Sequence, residues 1–296
     1  MTVVVKYCKL LLFLLVGFLI AAYVFHETVV KGKSCTSKAK LHGKTVIVTG
    51  SNTGIGKTMN LESGSSQVVF MQLDLASLKS VRSFAENFLK TEPRLDILIN
   101  NAGLFNFGRT EDGFGMTFGV NHLGHFLLTN LLLDRLKECG PSRVVNVSSG
   151  AHNWGRVDFD CLNTHKTLRT GTSFVDGQRV YADSKLCNVL FTYELAKRLK
   201  GTKVTCYSLH PGVVRTDIIR NASPTFQLVA LNGLRFFMKT PLQGSQTTLH
   251  CALHEGIEHL SGRHFSNCTA RDVLAKAKDP VTAKKLWEIS ERFCDL

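Results

Sequence analysis

From about Leu41 to the end of the chain, short apolar runs alternate with longer amphipathic segments. The runs are almost continuously apolar, which is typical of parallel strands covered on both faces. This alternation predicts an α/β domain with a doubly wound, parallel sheet. The predicted strands are Thr45–Val48, Gln67–Leu73, Leu95–Ile99, Arg143–Val147 and Lys203–Leu209, and the predicted helices are Leu78–Leu89, Gly113–Lys137, Arg179–Leu199 and Lys284–Phe293.

The amino terminus carries an uncharged apolar run, Leu10–Phe25. A spanning helix needs about 20 apolar residues, whereas the core of a cleaved signal peptide has about 7–15. We favour an uncleaved membrane anchor in residues 1–30, with a signal peptide as the alternative. Five lysines follow the run within residues 31–44 and outnumber the two before it, so the domain is expected on the cytosolic side. Residues 31–40 then form a basic linker, and residues 41–296 form the α/β domain.

The formal charge of +13 suggests an anionic partner, such as a membrane surface or a phosphorylated cofactor. Nucleic acid is disfavoured, because the sequence has no dense basic run with interleaved aromatic residues. The nine cysteines show no paired spacing, as expected in a reducing compartment. His250 and His254 share a helix face, but the sequence offers no third ligand at a diagnostic spacing, so we expect no metal site.

A glycine-rich turn, TGSNTGIG at Thr49–Gly56, directly follows the first predicted strand. Its glycines are Gly50, Gly54 and Gly56. Glycines at such spacing allow a tight turn and a close approach of the backbone to a pyrophosphate, as in Rossmann-type dinucleotide sites. The start of the next helix offers free N–H groups to phosphate.

Further polar motifs follow the other strands at the sheet edge where α/β proteins bind ligands. They are Asn100–Gly103 (NNAG), Ser148-Ser149 and Pro211–Thr216 (PGVVRT). Tyr181 and Lys185 lie four residues apart on a predicted helix and therefore share one face. A neighbouring ammonium favours the phenolate form of a tyrosine, so this pair can exchange a proton with an alcohol oxygen.

The ordered motifs TGxxxGIG, Asp74-Leu75, NNAG, Asn121, Ser-Ser, YxxxK and PGxxxT resemble the short-chain dehydrogenase/reductase family. The stretches NHLGHFLLTNLLL, YADSKLCNVLFTYELAKRL and LHPGVVRTD are similar to its membrane-anchored, retinol dehydrogenase-like group. The resemblance implies an NAD(P)-dependent oxidoreductase that interconverts a lipophilic alcohol, retinoid- or steroid-like, and its carbonyl. It also implies an endoplasmic-reticulum membrane.

The resemblance assigns a role to each motif residue. Tyr181 would be the general acid/base, Lys185 would lower its pKa and hold the nicotinamide ribose, Ser149 would bind the substrate oxygen, and Asn121 would hold a relay water. The cofactor-binding residues would be Gly50, Asn52, Thr53, Gly54, Ile55 and Gly56 at the pyrophosphate, Asp74 and Leu75 at the adenine, Asn101, Ala102 and Gly103 at the adenosine ribose, and Pro211, Gly212 and Thr216 over the nicotinamide.

The connection from Gly56 to Asp74 is too short for this family. A helix alone takes about 11–12 residues and a strand about 5–6, so the second strand and most of its flanking helices are expected to be missing. The residue at the end of the second strand that usually contacts the adenosine 2′ position is then absent. Lys57, just after the glycines, favours NADP(H) over NAD(H). Either the enzyme still works, or the chain is a membrane-anchored scaffold with impaired cofactor binding.

Two features outside these motifs bear on the membrane and on the expected topology. Phe226–Met238 is apolar and is predicted either as ordinary core or as a lid that dips into the membrane and admits apolar substrates. Asn146, Asn221 and Asn267 begin Asn-x-Ser/Thr triplets, which are chance matches if the domain faces the cytosol.

Overall fold

The computed structural model describes residues 2–62, 67–171, 173–216 and 237–296. Its strands form one sheet in the order of the chain. The first five strands are parallel, and the sixth is antiparallel to the fifth. The strands are β1 (Val46–Val48), β2 (Ile97–Asn100), β3 (Ser142–Val147), β4 (Val204–His210), β5 (His264–Ser266) and β6 (Thr269–Arg271).

Helices cover both faces of this sheet, which confirms the predicted α/β fold. The α-helices of the described residues are α1 (Thr2–Phe25), α2 (Gly54–Glu62), α3 (Leu78–Thr91), α4 (Met116–Phe118), α5 (Gly124–Glu138), α6 (Phe159–His165), α7 (Phe174–Arg198), α8 (Pro241–Leu253) and α9 (Pro280–Phe293). One face packs against α2 and α8, and the other packs against α3, α5, α7 and α9. A π-helical turn, Gly119–Leu123, joins α4 to α5.

Local sequence sets where these helices begin. Ser77 caps α3, since its side chain accepts a hydrogen bond from the Ser80 amide. Capping boxes begin α7 and α8, at Ser173 and Thr240. Asp279 caps α9 directly before Pro280, as the sequence predicts.

The amino-terminal helix continues through a π-helical turn to Val30. Within the described residues, Phe13–Val30 is long and apolar enough to cross a membrane. Most of its described side chains are exposed rather than packed against the domain. This helix is the candidate for the predicted membrane anchor.

The predicted strand Gln67–Leu73 is wrong, because residues 67–73 form no strand. Met71, Leu73 and Leu75 pack on the face of the sheet that α3 covers, so the chain leading into α3 crosses that face and does not lie beside β1. Val68, Val69 and Phe70 stay exposed. Among the described residues β1 pairs only with β2, so the expected loss of a strand leaves β1 at the sheet edge.

The hairpin of β5 and β6 has no counterpart among the predicted elements. Each strand has three residues, which is too short for a periodic pattern to show. Asn267 and Cys268 form its turn, both with positive φ. The helix predicted from Gly113 begins only at Met116, because Gly113 has a φ of +82° and helical backbone does not.

Candidate active site

The glycine-rich turn lies between β1 and α2, where its glycines allow backbones to meet. Gly50 has a φ of +66° and Gly54 a φ of +54°. A Cβ at Gly50 would lie 2.9 Å from the Ala102 Cα, and one at Gly56 would lie 2.4 Å from the Gly50 carbonyl oxygen. The turn therefore folds tightly over the first turn of α2, which leaves the helix amino terminus open toward the cavity described below.

Thr49 ties this turn to the NNAG segment after β2. Its hydroxyl oxygen accepts hydrogen bonds from the backbone amides of Asn101 (2.9 Å) and Ala102 (3.0 Å). The Asn101 side-chain amide donates back to the Thr49 carbonyl at 2.9 Å. The sequence places Thr49 in the glycine-rich motif but assigns it no role. Its polar side chain next to Gly50 was the one feature that could have indicated these hydrogen bonds.

His125 extends the same network toward the predicted catalytic residues. Its Nε2 lies 2.9 Å from the Thr49 hydroxyl and its Nδ1 lies 3.3 Å from the Asn121 carbonyl. Because the Thr49 oxygen already accepts two amides, we assign its hydroxyl as donor to Nε2 and the Nδ1–H as donor to Asn121. His125 is buried.

Asn121 is fully buried in the π-helical turn. Its side-chain amide donates to the Leu104 carbonyl (3.0 Å) and the Ser184 hydroxyl (3.1 Å), and its Oδ1 accepts from the Leu104 amide (2.9 Å). The side chain thus fixes the segment that follows NNAG. The π-turn places this residue, and such turns are frequent at functional sites.

Ser149, Tyr181 and Lys185 lie together beside the end of β3. Burial raises the pKa of Tyr181 to about 12, and a hydrogen bond with the Ser149 side chain offsets part of that rise. The Lys185 ammonium lies 5.6 Å from the Tyr181 ring centroid and donates to the Val147 carbonyl at 3.1 Å. Burial lowers the pKa of Lys185 to about 8. At neutral pH the phenol is protonated and the lysine is mostly charged.

One cavity of about 620 Å³ unites the two halves of the site. It is lined by sixteen of the predicted site residues: Gly50, Asn52, Thr53, Gly54, Ile55, Asp74, Leu75, Asn101, Ala102, Gly103, Ser149, Tyr181, Lys185, Pro211, Gly212 and Thr216. Gly56 and Asn121 lie behind this lining. A Cβ at Gly103 would lie 3.3 Å from the Lys185 ammonium, so this glycine gives the lysine access to the cavity.

The segment that fails to form a strand also lines the cavity, through Phe70–Leu73. Asp74 is exposed there, and its carboxylate accepts a hydrogen bond from the Ala76 amide at 2.9 Å. This side of the cavity is therefore closed by a segment that forms no strand. Sequence reasoning missed this contribution, because it treated residues 67–73 as part of the sheet.

A group of three histidines lies behind Ser149. The His152 Nδ1 contacts the Ser149 carbonyl at 2.6 Å, and the His152 and His264 rings lie 4.6 Å apart. Burial lowers the pKa of His264 to about 3 and that of His210, which lines the cavity, to about 4. Burial lowers the pKa of His152 as well, and the hydrogen bond to the Ser149 carbonyl offsets part of that shift.

Acid should therefore destabilise the fold. The pKa of His122, His125 and His264 is lowered by burial to about 3, below the usual value of about 6.5. The unfolded chain binds these protons more readily, so stability is complete above about pH 6.5 and is lost as pH falls toward 3. The free energy of unfolding, measured by denaturant titration, should fall by on the order of several kcal/mol in total between pH 7 and pH 5.

A matched variant separates this effect from acid-sensitive carboxylates. The His122 ring packs against Phe118 and Phe126, so His122→Phe keeps the ring and removes the titration. Its stability should depend less steeply on pH than that of the parent protein. A flat profile for the parent protein between pH 7 and pH 5 would contradict the burial argument.

The cradle and cavity fit a dinucleotide, because added Cβ atoms would fill the turn and the volume suits a small-molecule site. A doubly wound sheet with a glycine cradle and a Ser–Tyr–Lys group defines the class of NAD(P)-dependent oxidoreductases. The chain belongs to the short-chain dehydrogenase/reductase family, in its retinol dehydrogenase-like group. The family model for short chain dehydrogenase matches residues 58–161.

Curated relatives support this membership along nearly the whole chain. Human retinol dehydrogenase 11 is 47% identical over 292 residues, covering 88% of this chain and 88% of its own. Human dehydrogenase/reductase SDR family member 13 is 44% identical over 310 residues (95% and 81%). Human retinol dehydrogenase 12 is 45% identical over 297 residues (90% and 90%).

The lengths of these alignments agree with the shortened connection. In each one, about 30 aligned positions exceed the residues that this chain contributes. That is about the length of a helix, a strand and a second helix.

Solved structures share the fold. A protein from Mycobacterium paratuberculosis has a TM-score of 0.65 at 29% identity, covering 89% of this chain and 96% of that chain. A short chain dehydrogenase from Burkholderia cenocepacia J2315, in complex with NADP, has a TM-score of 0.58 at 20% identity, covering 77% and 97%.

Proposed function

We propose that this protein is a membrane-anchored oxidoreductase that interconverts a lipophilic alcohol, retinoid- or steroid-like, and its aldehyde or ketone. The observation that carries the proposal is the convergence of Ser149, Tyr181 and Lys185 on the cavity that the glycine cradle also lines. Relatives named retinol dehydrogenases at 45–47% identity support the substrate class. We place it on an endoplasmic-reticulum membrane, and the basic flank of the anchor supports a domain that faces the cytosol.

The chain's own groups would handle the proton. In the reductive direction, Ser149 and Tyr181 hold the carbonyl oxygen by hydrogen bonds, and Tyr181 donates its proton to that oxygen. The Lys185 ammonium stabilises the resulting phenolate, and Asn121 would hold a water that returns a proton through Lys185. When bound, the nicotinamide cofactor supplies the hydride in this direction and accepts it in the reverse.

The cofactor would lie along the sheet edge. Gly50, Gly54 and Gly56, with Asn52, Thr53 and Ile55, would hold the pyrophosphate. The adenosine would contact Asp74, Leu75, Asn101, Ala102 and Gly103, and the nicotinamide would lie under Pro211, Gly212 and Thr216. We propose NADP(H) over NAD(H), because exposed Lys57 in the first turn of α2 can attract a 2′-phosphate.

A charge reversal tests this preference. Lys57→Glu should weaken NADPH binding about tenfold relative to NADH, since a tenfold change corresponds to about 1.4 kcal/mol. Lys200→Glu makes the same charge change at an exposed position just before the amino end of β4, whereas the cavity lies at the carboxyl ends of the strands, so both affinities should stay unchanged. Fluorescence titration measures both. An equal change for the two cofactors in Lys57→Glu would contradict the assignment.

The second candidate function is a membrane-anchored scaffold that no longer turns over substrate. The observation that favours it is the adenosine side of the site, where residues 67–73 form no strand beside β1. Activity distinguishes the two. The full chain in vesicles, with NADPH and an apolar aldehyde, should consume the cofactor at a rate proportional to protein, and a rate equal to that of empty vesicles would favour the scaffold.

A further inference from the structure

The basic linker between anchor and domain is extended, and one side of it packs on the domain. Cys35, Ser37 and Ala39 are half-buried, whereas Ser34, Thr36, Lys38 and Lys40 are exposed. This alternation is that of an extended chain lying along a surface. We refer to residues 32–39 as the strap.

Hydrogen bonds attach the strap to the domain at Lys33, Cys35 and Ser37. The Lys33 amide donates to the Asn267 Oδ1 at 2.6 Å, in the β5–β6 turn. The Cys35 amide donates to the Gln246 Oε1 at 3.0 Å, and the Ser37 hydroxyl donates to the Leu253 carbonyl at 2.9 Å, both on α8. The strap therefore runs along α8 from Gln246 to Leu253, and it is not a free tether.

The end of the strap nearest the anchor lies beside the loop that closes the cavity. A Cβ on Gly32 would lie 3.0 Å from the Lys239 ammonium, and one on Gly212 would lie 2.8 Å from the Lys239 Cδ. The Lys239 amide donates to the Val213 carbonyl at 2.7 Å. Gly212 and Val213 both line the cavity. Lys239 therefore contacts both the start of the strap, next to the anchor helix, and the loop at the rim of the cavity.

The same region exposes large apolar side chains. Val213 is 63% exposed, Phe237 is 46% exposed and Leu242 is 44% exposed. The Phe237 ring also contacts that of Phe25, near the end of the anchor helix, with centroids 5.6 Å apart. Exposed apolar residues continuous with a spanning helix, next to exposed lysines, match the interface of a bilayer with anionic headgroups.

We propose that the strap fixes the orientation of the domain, so that the rim formed by Val213, Phe237 and Leu242 lies in the bilayer surface. The partner is the lipid surface itself, with the apolar rim in the headgroup region and the strap lysines on anionic lipids. A consequence, which rests on the proposed function, is that an apolar substrate enters the cavity directly from the membrane. The orientation itself requires neither cofactor nor substrate.

Tryptophan quenching by brominated lipids tests the orientation. The full chain is reconstituted in phosphatidylcholine and phosphatidylserine vesicles, with the bromines near the headgroups. Phe237→Trp should be strongly quenched above the background of the native tryptophans. Val281→Trp is the control, since Val281 is 72% exposed on α9, across the sheet from α8. Equal quenching at the two positions would overturn the proposal.

Release of the strap tests its role. Asn267→Gly removes the acceptor of the Lys33 amide, and glycine tolerates the φ of +53° at that position. Gln246→Leu removes the acceptor of the Cys35 amide. In the Phe237→Trp background, this pair should abolish most of the excess quenching and deprotect the Lys33 and Cys35 amides in hydrogen exchange. Ser34→Ala and Thr36→Ala, on the outer side of the strap, should change neither. Deprotected amides with unchanged quenching would show that the strap does not set the orientation.

These readouts separate this proposal from the proposed function. An inactive protein that shows the quenching difference retains the orientation and lacks the activity. An active protein without the quenching difference would agree with the proposed function and would overturn the proposed orientation.

Discussion

Replacing Tyr181 with phenylalanine should reduce kcat at least about 100-fold while changing cofactor affinity less than about threefold, because general acid–base catalysis contributes about 10²–10⁴ in rate. The substitution removes the hydroxyl that Ser149 contacts and keeps the buried ring. Proton transfer to the substrate oxygen then has no donor. Steady-state kinetics and a cofactor titration on the same preparation measure the two effects.

Tyr193→Phe is the matched control. Tyr193 lies on the same helix, α7, twelve residues beyond Tyr181, and it is not among the residues that line the cavity. Removal of its hydroxyl should leave kcat and affinity unchanged. Full turnover in Tyr181→Phe would remove the assigned mechanism, whatever the control shows.

Gly56→Ala should weaken cofactor binding at least about tenfold and lower the stability of the domain by about 1–3 kcal/mol, as overpacking does. The new Cβ would lie 2.4 Å from the Gly50 carbonyl oxygen and 2.8 Å from the Asn101 side-chain nitrogen. The first of these atoms is backbone, so the cradle itself must move. Thermal unfolding and cofactor titration measure the two losses.

Gly108→Ala makes the same chemical change where there is space. Its Cβ would have no neighbour closer than 3.8 Å, so stability and affinity should stay close to those of the parent protein. Normal affinity in Gly56→Ala would mean that the turn does not hold the pyrophosphate.

The parallel order of the sheet and its helices could be predicted, because buried strands and capped amphipathic helices leave strong local patterns. The place of Ser149 could be predicted, because the carboxyl ends of parallel strands meet at one edge, whereas the grouping of Tyr181 and Lys185 with Ser149 was implied by the family resemblance. The missing strand could also be predicted, since chain length between Gly56 and Asp74 limits what can fold there.

The path of residues 67–73 could not be predicted. An apolar run indicates burial, but whether it pairs as a strand depends on which surface the rest of the chain leaves open. Here the run leads directly into α3, and its Met71 and Leu73 side chains pack on the face of the sheet that α3 covers. The contacts of Thr49 and His125 join residues 76 positions apart, which no local pattern encodes. The same holds for the strap, whose contacts with α8 and the β5–β6 turn are more than 200 positions away in sequence.

The segment Phe226–Met238, predicted either as ordinary core or as a membrane-dipping lid, lies mostly outside the described residues, as does Asn221. Phe237 and Met238 are described, and Met238 lines the cavity. Those two residues agree with either reading of the segment, as core or as lid.

The central claim is that the glycine cradle and the Ser–Tyr–Lys group still form a working dinucleotide site without the second strand. Titration of the full chain, in detergent or vesicles, with NADPH and NADH tests it most directly. We expect saturable binding of one cofactor per chain with an affinity in the micromolar range, tighter for NADPH. No saturable binding of either cofactor up to about millimolar concentration, the upper end of ordinary enzyme affinities, would contradict it.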